Sequence, residues 1–243
     1  MTIMVPRPLV AVSAAATAAA VAHLGPGVTA IGPVRRTLFP RLAGCGDAEH
    51  VALTFDDGPD PGGTPAILDV LAQSKVHATF FMLGSMAAVA PGLTGEIAAA
   101  GHEIAVHGWV HRPLAAQGPA AAYGDLARAR DVVAELTGQV PAWFRPPYGV
   151  LTTGALAAAR RLGLRPLLWT CWGREWDRGA TPASVFRTLL RDLDGGGTVL
   201  LHDSGQQARP GSAQAAHDAL RPLLTECARR QLTVGTVAQH GLH

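Results

Sequence analysis

The sequence predicts an α/β protein in which a parallel sheet, open or closed into a barrel, is surrounded by helices. From residue 50 onward, short β-type runs alternate with helical patterns about seven times, as expected for parallel strands joined by helical crossovers. The chain has 243 residues, 48% of them hydrophobic. That length and composition suffice for one large domain that needs no disulfides.

The predicted strands are short and mostly apolar on both faces, which is typical of parallel sheets covered by helices. They cover residues 51–55, 78–83, 103–106, 143–145, 167–169, 198–201 and 233–237.

The helices are predicted from apolar periodicity and from capping signals. They cover residues 92–100, 120–136, 153–162 and 212–231, with two further helices beginning near residues 64 and 181. These two follow Thr64-Pro65 and Thr181-Pro182, where threonine is the expected N-cap and proline takes the first helical position. Gly138 stands where a C-terminal cap is expected.

Composition argues against several classes of function. The formal net charge is +2 and the arginines form no run, so we expect no nucleic-acid partner. No glycine-rich nucleotide motif and no Gly-x-Ser-x-Gly motif occurs, which disfavours nucleotide-binding proteins and serine hydrolases. Cys45, Cys171 and Cys227 lie far apart and form no Cys-x-x-Cys pair.

The amino-terminal segment contains an apolar stretch at residues 9–24, which reads LVAVSAAATAAAVAHL. A signal peptide, a membrane anchor and an Ala-rich helix packed on the domain are the three interpretations. Export or anchoring is favoured, although Arg35 and Arg36 after the stretch disagree with a simple anchor whose carboxyl end lies outside. We therefore expect a signal or anchor segment and linker at residues 1–46, the main domain at residues 47–243, and a secreted or membrane-anchored, extracytoplasmic protein.

Polar residues follow several predicted strands at their carboxyl ends, where the chemistry of such folds gathers. Asp56-Asp57 follows the first strand, His107 and His111 follow the third, and His202 follows the sixth. One carboxylate and two imidazoles form a three-ligand set for a divalent metal that leaves a position for water. The spacing of the two histidines would place them on one side of a helical turn, and a second carboxylate beside the metal can act as a base.

Each signal also has a structural explanation. Adjacent aspartates after a strand often form a turn, and the spacing of His107 and His111 arises by chance on surface helices. Four tryptophans are equally consistent with stacking on sugar rings and with a place in the core: Trp109, Trp169, Trp172 and Trp176. Asp203 and Ser204 directly follow His202, so neighbours of this kind do not make a catalytic triad.

Four stretches together resemble the polysaccharide deacetylases of carbohydrate esterase family four. They are Thr54-Phe55-Asp56-Asp57-Gly58-Pro59, His107 to His111, Arg145-Pro146-Pro147-Tyr148-Gly149 and Leu200-Leu201-His202-Asp203. The resemblance covers roughly residues 51–237 in order. It implies a single catalytic domain with a distorted (β/α)7-type barrel that hydrolyses N-acetyl groups of amino-sugar polymers.

The resemblance also implies roles for individual residues. Asp57, His107 and His111 would be the metal ligands, with Zn²⁺ as the expected ion. Asp56 would be the catalytic base, and Arg145 would orient its carboxylate and favour the ionised form.

A second group of implied roles concerns the leaving amine and the substrate. His202 would protonate the sugar amine, and the backbone N–H of Tyr148 would help to hold the oxyanion. Leu200 would form an apolar wall for the acetyl methyl group, and Pro147 and Trp176 are expected to contact substrate.

The sequence departs from the family pattern in two places. Gly108 follows the first metal histidine, where the family usually has serine or threonine, and is expected to loosen the loop. The family's acidic stretch that tunes the catalytic histidine is replaced by Trp172-Gly173-Arg174-Glu175-Trp176. We expect Glu175 to take the place of the acidic partner of His202 and to keep this imidazole charged.

The expected function is that of a metal-dependent hydrolase acting on carbon–nitrogen bonds other than peptide bonds. It would remove N-acetyl groups from a cell-wall glycan such as peptidoglycan, or from a chitin-like glycan, and release acetate. One alternative is an O-acetyl xylan esterase of the same family. The other is an inactive glycan-binding module that keeps the fold.

Overall fold

The computed structural model describes residues 17–207 and 211–242, and the sheet within them is a half-barrel of parallel strands surrounded by helices. Its strands are β1 His50–Asp56, β2 Thr79–Met82, β3 Glu103–Val106, β4 Trp143–Phe144, β5 Arg165–Pro166, β6 Cys171–Trp172, β7 Thr198–His202 and β8 Thr233–Gly235. Their order is β5-β4-β3-β2-β1-β7-β6, with β8 paired to the start of β1. The predicted fold class is therefore confirmed.

Helices connect most of the successive strands and cover the outer face of the sheet, and two short helices precede β1. They are α1 Gly32–Leu38, α2 Pro40–Ala43, α3 Thr64–Ser74, α4 Gly84–Val89, α5 Pro91–Ala99, α6 Pro119–Thr137, α7 Thr153–Arg161, α8 Pro182–Asp192 and α9 Ser212–Arg229. Three short 3₁₀ segments cover Gly25–Ala30, Leu114–Ala116 and Pro147–Gly149. The sequence did not predict β5, β6, α1, α2, α4 or the three 3₁₀ segments.

The two faces of β1 have different surroundings because successive side chains of a strand point to opposite sides. Val51, Leu53 and Phe55 are buried in the core between the sheet and the outer helices. Ala52 packs inside the half-barrel in a small cluster with Phe81, and Thr54 and Asp56 follow it at alternate positions of the strand. The inner face of β1 is therefore apolar low in the half-barrel and polar at the carboxyl rim.

Two predictions about local structure were wrong. Residues 167–169 form no strand, because the carbonyl groups of Leu167 and Leu168 accept hydrogen bonds from the Arg145 guanidinium instead of from a neighbouring strand. Thr64 is the first residue of α3 and Gly63 is its N-cap. The Thr64 hydroxyl donates to the Asp203 carboxylate over 2.6 Å, so it is not available to cap the helix.

Other capping predictions were confirmed. Thr181 accepts from the backbone N–H of Ser184, and the Ser184 hydroxyl accepts from the backbone of Thr181 in return, which forms a capping box. Gly138 ends α6 in the left-handed conformation at φ 69°.

The segment before β1 packs against the half-barrel as far as the structure describes it. Residues 17–24 are helical, and the Thr153 hydroxyl donates to the carbonyl of Ala22. Arg35 and Gly44 form hydrogen bonds with the loop after β5 and with β7. Half of the apolar stretch at residues 9–24, namely residues 9–16, lies outside the described residues. Among the helices in the described part of the chain, none combines the length and apolarity that a membrane span requires.

The Thr64–Asp203 hydrogen bond yields a prediction about stability. Thr64→Val removes a fully buried hydroxyl that donates to Asp203 and accepts from the Asp60 N–H. Leaving these buried groups without a partner should lower the free energy of unfolding by about 1–3 kcal/mol, measured by urea denaturation.

The exposed Thr225→Val in α9 is the matched control, and it should change the free energy of unfolding by less than about 0.5 kcal/mol. Equal stability of the two variants would contradict the structural role given to Thr64.

Candidate active site

The carboxyl ends of the strands surround one cleft of about 470 Å³. Asp56 and Asp57 reach it from the end of β1, His107 from the end of β3 and His202 from the end of β7. The register of the sheet pairs Asp56 with His202 across β1 and β7, which places these two residues side by side. His111 completes the set from the loop after β3.

Asp57, His107 and His111 lie close enough together to hold one metal ion. The Nε2 atoms of His107 and His111 are 3.4 Å and 3.6 Å from Asp57 Oδ1. Each of the three residues offers one ligand atom, and these atoms all lie within 4.8 Å of one another. His107 Nδ1 lies 2.9 Å from the backbone carbonyl of Arg145. Since only a protonated Nδ1 can donate to that carbonyl, the lone pair is on Nε2, the nitrogen that faces Asp57.

The electrostatics of these three residues fit a divalent cation. Burial raises the pKa of Asp57 to about 7, and its Oδ1 atom is buried with no hydrogen-bond donor among the described residues. Burial and neighbouring positive charge lower the pKa of His107 and His111 to about 3, which keeps both imidazoles neutral. Two neutral imidazoles and one buried carboxylate without a donor are the groups that a zinc-type site requires.

The loop that carries His107 and His111 is not the helical turn that their spacing suggested. Residues 107–111 form no helix, and Gly108 has φ 102°, a left-handed value that favours glycine. The loop is nevertheless well anchored. The carbonyl of Gly108 accepts from the Gly84 N–H at the start of α4, and the Trp109 N–H donates to Asp125 of α6 over 2.8 Å. Asp125 is thus a supporting residue that sequence reasoning missed.

Arg145 lies behind Asp56 in the wall of the half-barrel and is fully buried. Its Nη1 donates to Asp56 Oδ1 over 2.7 Å and to the Thr54 hydroxyl over 2.8 Å, and its Nη2 donates to the carbonyl of Leu168. Burial lowers the pKa of Arg145, and its charge is balanced by Asp56. The structure therefore contains the predicted ion pair, with one oxygen of Asp56 held by the guanidinium.

Glu175 reaches His202 as the sequence led us to expect. One carboxylate oxygen, Oε1, lies 2.8 Å from His202 Nδ1 and accepts the backbone N–H of His202 over 2.7 Å. Burial alone lowers the pKa of His202, but the hydrogen bond and charge of Glu175, together with Asp57 and Asp56, raise it to about 9. Gly173 leaves room for Glu175, since a Cβ there would stand 2.7 Å from Glu175 Oε2.

Asp203 has a supporting role that the sequence did not reveal. Its carboxylate is buried and accepts the Gly58 N–H over 3.0 Å as well as the Thr64 hydroxyl. These bonds tie the loop that carries Asp57 to the end of β7. No local signal distinguishes this role, because the partners lie 139 and 145 residues away in the chain.

The expected substrate contacts lie mostly, but not all, in the cleft. Tyr148, Leu200 and Trp176 line it, and Trp176 packs edge-on against the ring of His202. Pro147, also expected to contact substrate, is buried beside the cleft, and the neighbouring Pro146 takes its place in the wall. This follows from the polypeptide turn at residues 147–149, where Tyr148 has φ 60°.

The tryptophans divide into two groups. Trp169, Trp172 and Trp176 form a row of contacting rings along the cleft, with centroids 5.6 Å and 5.5 Å apart. Trp109 is not part of this wall, and the guanidinium of Arg128 lies 3.6 Å over its ring.

Sequence comparison places these residues in a known context. A sequence model described as polysaccharide deacetylase matches residues 43–167. A chitooligosaccharide deacetylase of a Bradyrhizobium species is 37% identical over 170 residues, which is 70% of this chain and 76% of the relative. A peptidoglycan-N-acetylglucosamine deacetylase of Listeria monocytogenes is 34% identical over 155 residues, which is 64% of this chain. The matched part spans 32% of that longer relative.

Comparison of structures leads to the same group of proteins. The crystal structure of the Bc1960 peptidoglycan N-acetylglucosamine deacetylase, in complex with a substituted N-oxidanyl-benzamide, superposes with a TM-score of 0.75 at 29% identity. The superposition covers 81% of this chain and 90% of that one. The half-barrel is thus the fold of this group.

The contact between Glu175 and His202 yields a prediction about pKa. Glu175→Gln removes the negative charge that opposes the effect of burial, so the pKa of His202 should fall from about 9 toward or below its ordinary value. The measurement is an NMR titration of the His202 ring in chelator-treated protein.

Asp177→Asn is the matched control, since Asp177 lies in the same loop, is half exposed and pairs with Arg174 instead of His202. If the pKa of His202 were the same in Glu175→Gln as in the wild-type protein, Glu175 would not be the group that sets this pKa.

Proposed function

Because the chain belongs to the polysaccharide deacetylase family, we propose that it is a hydrolase that removes N-acetyl groups from an amino-sugar polysaccharide and releases acetate. The observation that carries the proposal is the convergence of three groups on one cleft. These are a metal-type cluster, a carboxylate held by a buried arginine, and a histidine held by a buried glutamate.

Asp57, His107 and His111 are the residues that would hold the metal, and Zn²⁺ is the ion that we expect. When bound, such an ion acidifies a water molecule and polarises the amide carbonyl of the substrate. The two neutral imidazoles and the buried Oδ1 of Asp57 support this assignment.

Asp56 is proposed to act as the base. Arg145 holds its Oδ1 atom, which leaves Oδ2 as the oxygen that accepts a proton from the attacking water. The ion pair fixes the carboxylate in one orientation before substrate arrives, so little reorganisation is needed during the reaction.

His202 is proposed to act as the acid. Its pKa of about 9 keeps the ring protonated at neutral pH, and Glu175 occupies Nδ1, so Nε2 is the nitrogen that can donate. As the carbon–nitrogen bond breaks, the amine takes this proton and the acyl carbon leaves as acetate.

Tyr148 and Leu200 are proposed to position the acetyl group. Both line the cleft, where the backbone N–H of Tyr148 is proposed to stabilise the oxyanion and Leu200 to contact the methyl group. Trp176 covers His202 and extends the wall toward the neighbouring sugars.

The substrate proposed is an acetylated glucosamine polymer of the peptidoglycan or chitin type, in line with the named activities of the relatives. The buried Glu175–His202 pair favours N-deacetylation over O-deacetylation of xylan, since an amine leaving group needs a proton more than an alcohol does. An inactive glycan-binding module is disfavoured because residues suited to act as base, acid and metal ligands all line the cleft.

Export or membrane attachment through residues 9–24 remains part of the proposal. Support comes from the apolar sequence of that stretch and from the exposure of Val21, Ile31 and Leu38 in the segment that follows it. Fractionation of cells that produce the full-length chain would test it, with recovery in the cytoplasm as the contradicting result.

The test of the proposed reaction is acetate release by the full chain from acetylated glucosamine oligomers, peptidoglycan glycan strands and acetylated xylan. Asp56→Asn should lower turnover by about 10²–10⁴-fold, and chelation should abolish it until metal is restored. The surface variant Asp131→Asn, which breaks only an exposed contact with Arg130, should leave turnover unchanged.

Two results would contradict the proposal: undiminished acetate release after removal of metal, or wild-type turnover in Asp56→Asn. Faster release from xylan than from every amino-sugar substrate would instead favour the esterase alternative.

A further inference from the structure

A second cavity of about 640 Å³, here called the side chamber, adjoins the cleft. Tyr148, Gly149, Trp169 and Trp172 line both cavities, so the two are continuous along this wall. The opposite wall is formed by α1 and the residues just before it, a segment that precedes the matched region of the family model.

Arg35 in this wall is a buried cation without an anion. Its side chain is 5% exposed, its Nε and Nη1 donate to the carbonyls of Trp169 and Ala30, and its guanidinium lies 4.7 Å from the centre of the Trp169 ring. Within the described residues, no carboxylate lies within 4.0 Å of it. Burial lowers the pKa of Arg35 to about 10, so it keeps its charge at neutral pH.

Arg36 adds a second positive charge to the chamber. It donates to the carbonyl of Thr170 and lies 3.5 Å from Asp192 of α8, the one carboxylate among the described residues that line the chamber. Both partners of this pair are more than one-third exposed, so the attraction between them is weak. Two arginines and one aspartate leave the chamber with an excess of one positive charge.

We propose that the side chamber binds an anionic group on the sugar next to the one that is deacetylated. This inference rests on the proposed function and narrows its substrate to an acidic glycan such as a peptidoglycan strand without its stem peptides. There, N-acetylglucosamine alternates with N-acetylmuramic acid, whose lactyl group carries a free carboxylate once the peptide has been removed. The carboxylate supplies the anion that Arg35 lacks, and a neutral glucosamine polymer has no such group to offer.

The test compares three oligosaccharides of equal length. The first alternates N-acetylglucosamine with N-acetylmuramic acid, the second is the same molecule with its carboxylates converted to carboxamides, and the third is a neutral N-acetylglucosamine oligomer. Wild-type protein should show kcat/KM about tenfold higher for the first than for the second, and the difference should shrink at high salt. Binding of the first two to chelator-treated protein, measured by calorimetry, should show the same preference without turnover.

Variants test whether the preference for carboxylate over carboxamide arises in the side chamber. Arg35→Gln and Arg36→Gln should each reduce the preference for carboxylate over carboxamide by several-fold, and Arg35→Lys should restore part of it. Asp192→Asn should increase the preference, since it removes the competing anion from an exposed position and does not depend on replacing a buried residue. Arg41→Gln, an exposed arginine in α2 outside the chamber, is the matched control.

The inference would be overturned by equal kcat/KM and equal binding for the carboxylate and carboxamide oligosaccharides. It would also be overturned by a preference that Asp192→Asn and Arg36→Gln leave unchanged. In both cases, release of acetate would still uphold the proposed function. Failure to release acetate from all three oligosaccharides would overturn the proposed function. The calorimetric preference would then decide separately whether the chamber binds anions.

Discussion

The burial of negative charge at the rim of the half-barrel is the constraint on which the rest of the site depends. Four carboxylates are at most 3% exposed there, namely Asp56, Asp57, Glu175 and Asp203. Ionised groups are costly to bury unless positive charge or hydrogen-bond donors compensate them. Arg145 compensates Asp56, His202 compensates Glu175, and backbone and hydroxyl donors satisfy Asp203. Asp57 and Glu175 each keep one buried oxygen without a donor among the described residues, and the free oxygen of Asp57 is the one that faces two neutral imidazoles. A divalent cation would complete the balance.

The parallel sheet brings these charges together at little conformational cost. Its register sets Asp56 beside His202, and the loops after β1 and β3 bring in the metal-type ligands. The polypeptide around the site is held from behind by long-range hydrogen bonds: Asp203 fixes the loop after β1, and Asp125 fixes the loop after β3. The supporting residues belong to elements that are packed into the hydrophobic core, which helps to hold the rim in one geometry.

The sequence predicted most of the elements and the residues that meet at the rim, since apolar periodicity and the ends of parallel strands are local signals. The resemblance supplied the pairing of Arg145 with Asp56 and pointed to Glu175 as the partner of His202. What it missed depends on distant contacts. Residues 167–169 look like a strand, yet their carbonyl groups serve Arg145, and Thr64 looks like a cap, yet it binds Asp203. Likewise, the spacing of His107 and His111 suggested a helical turn, but the left-handed backbone of Gly108 forms a loop there.

The segment before the matched domain adds positive charge beside the cleft. Its Arg35 and Arg36 are the residues proposed to bind an acidic sugar next to the reacting one. The central claim still concerns Asp57 and its two histidines. It is tested most directly by calorimetric titration of the metal-free protein with zinc. The account predicts one tightly bound ion per chain, a raised Tm on binding, and marked weakening of the affinity in His111→Gln, whose side chain is partly exposed and therefore replaceable without loss of the fold. Absence of binding, or an affinity that His111→Gln leaves unchanged, would contradict it.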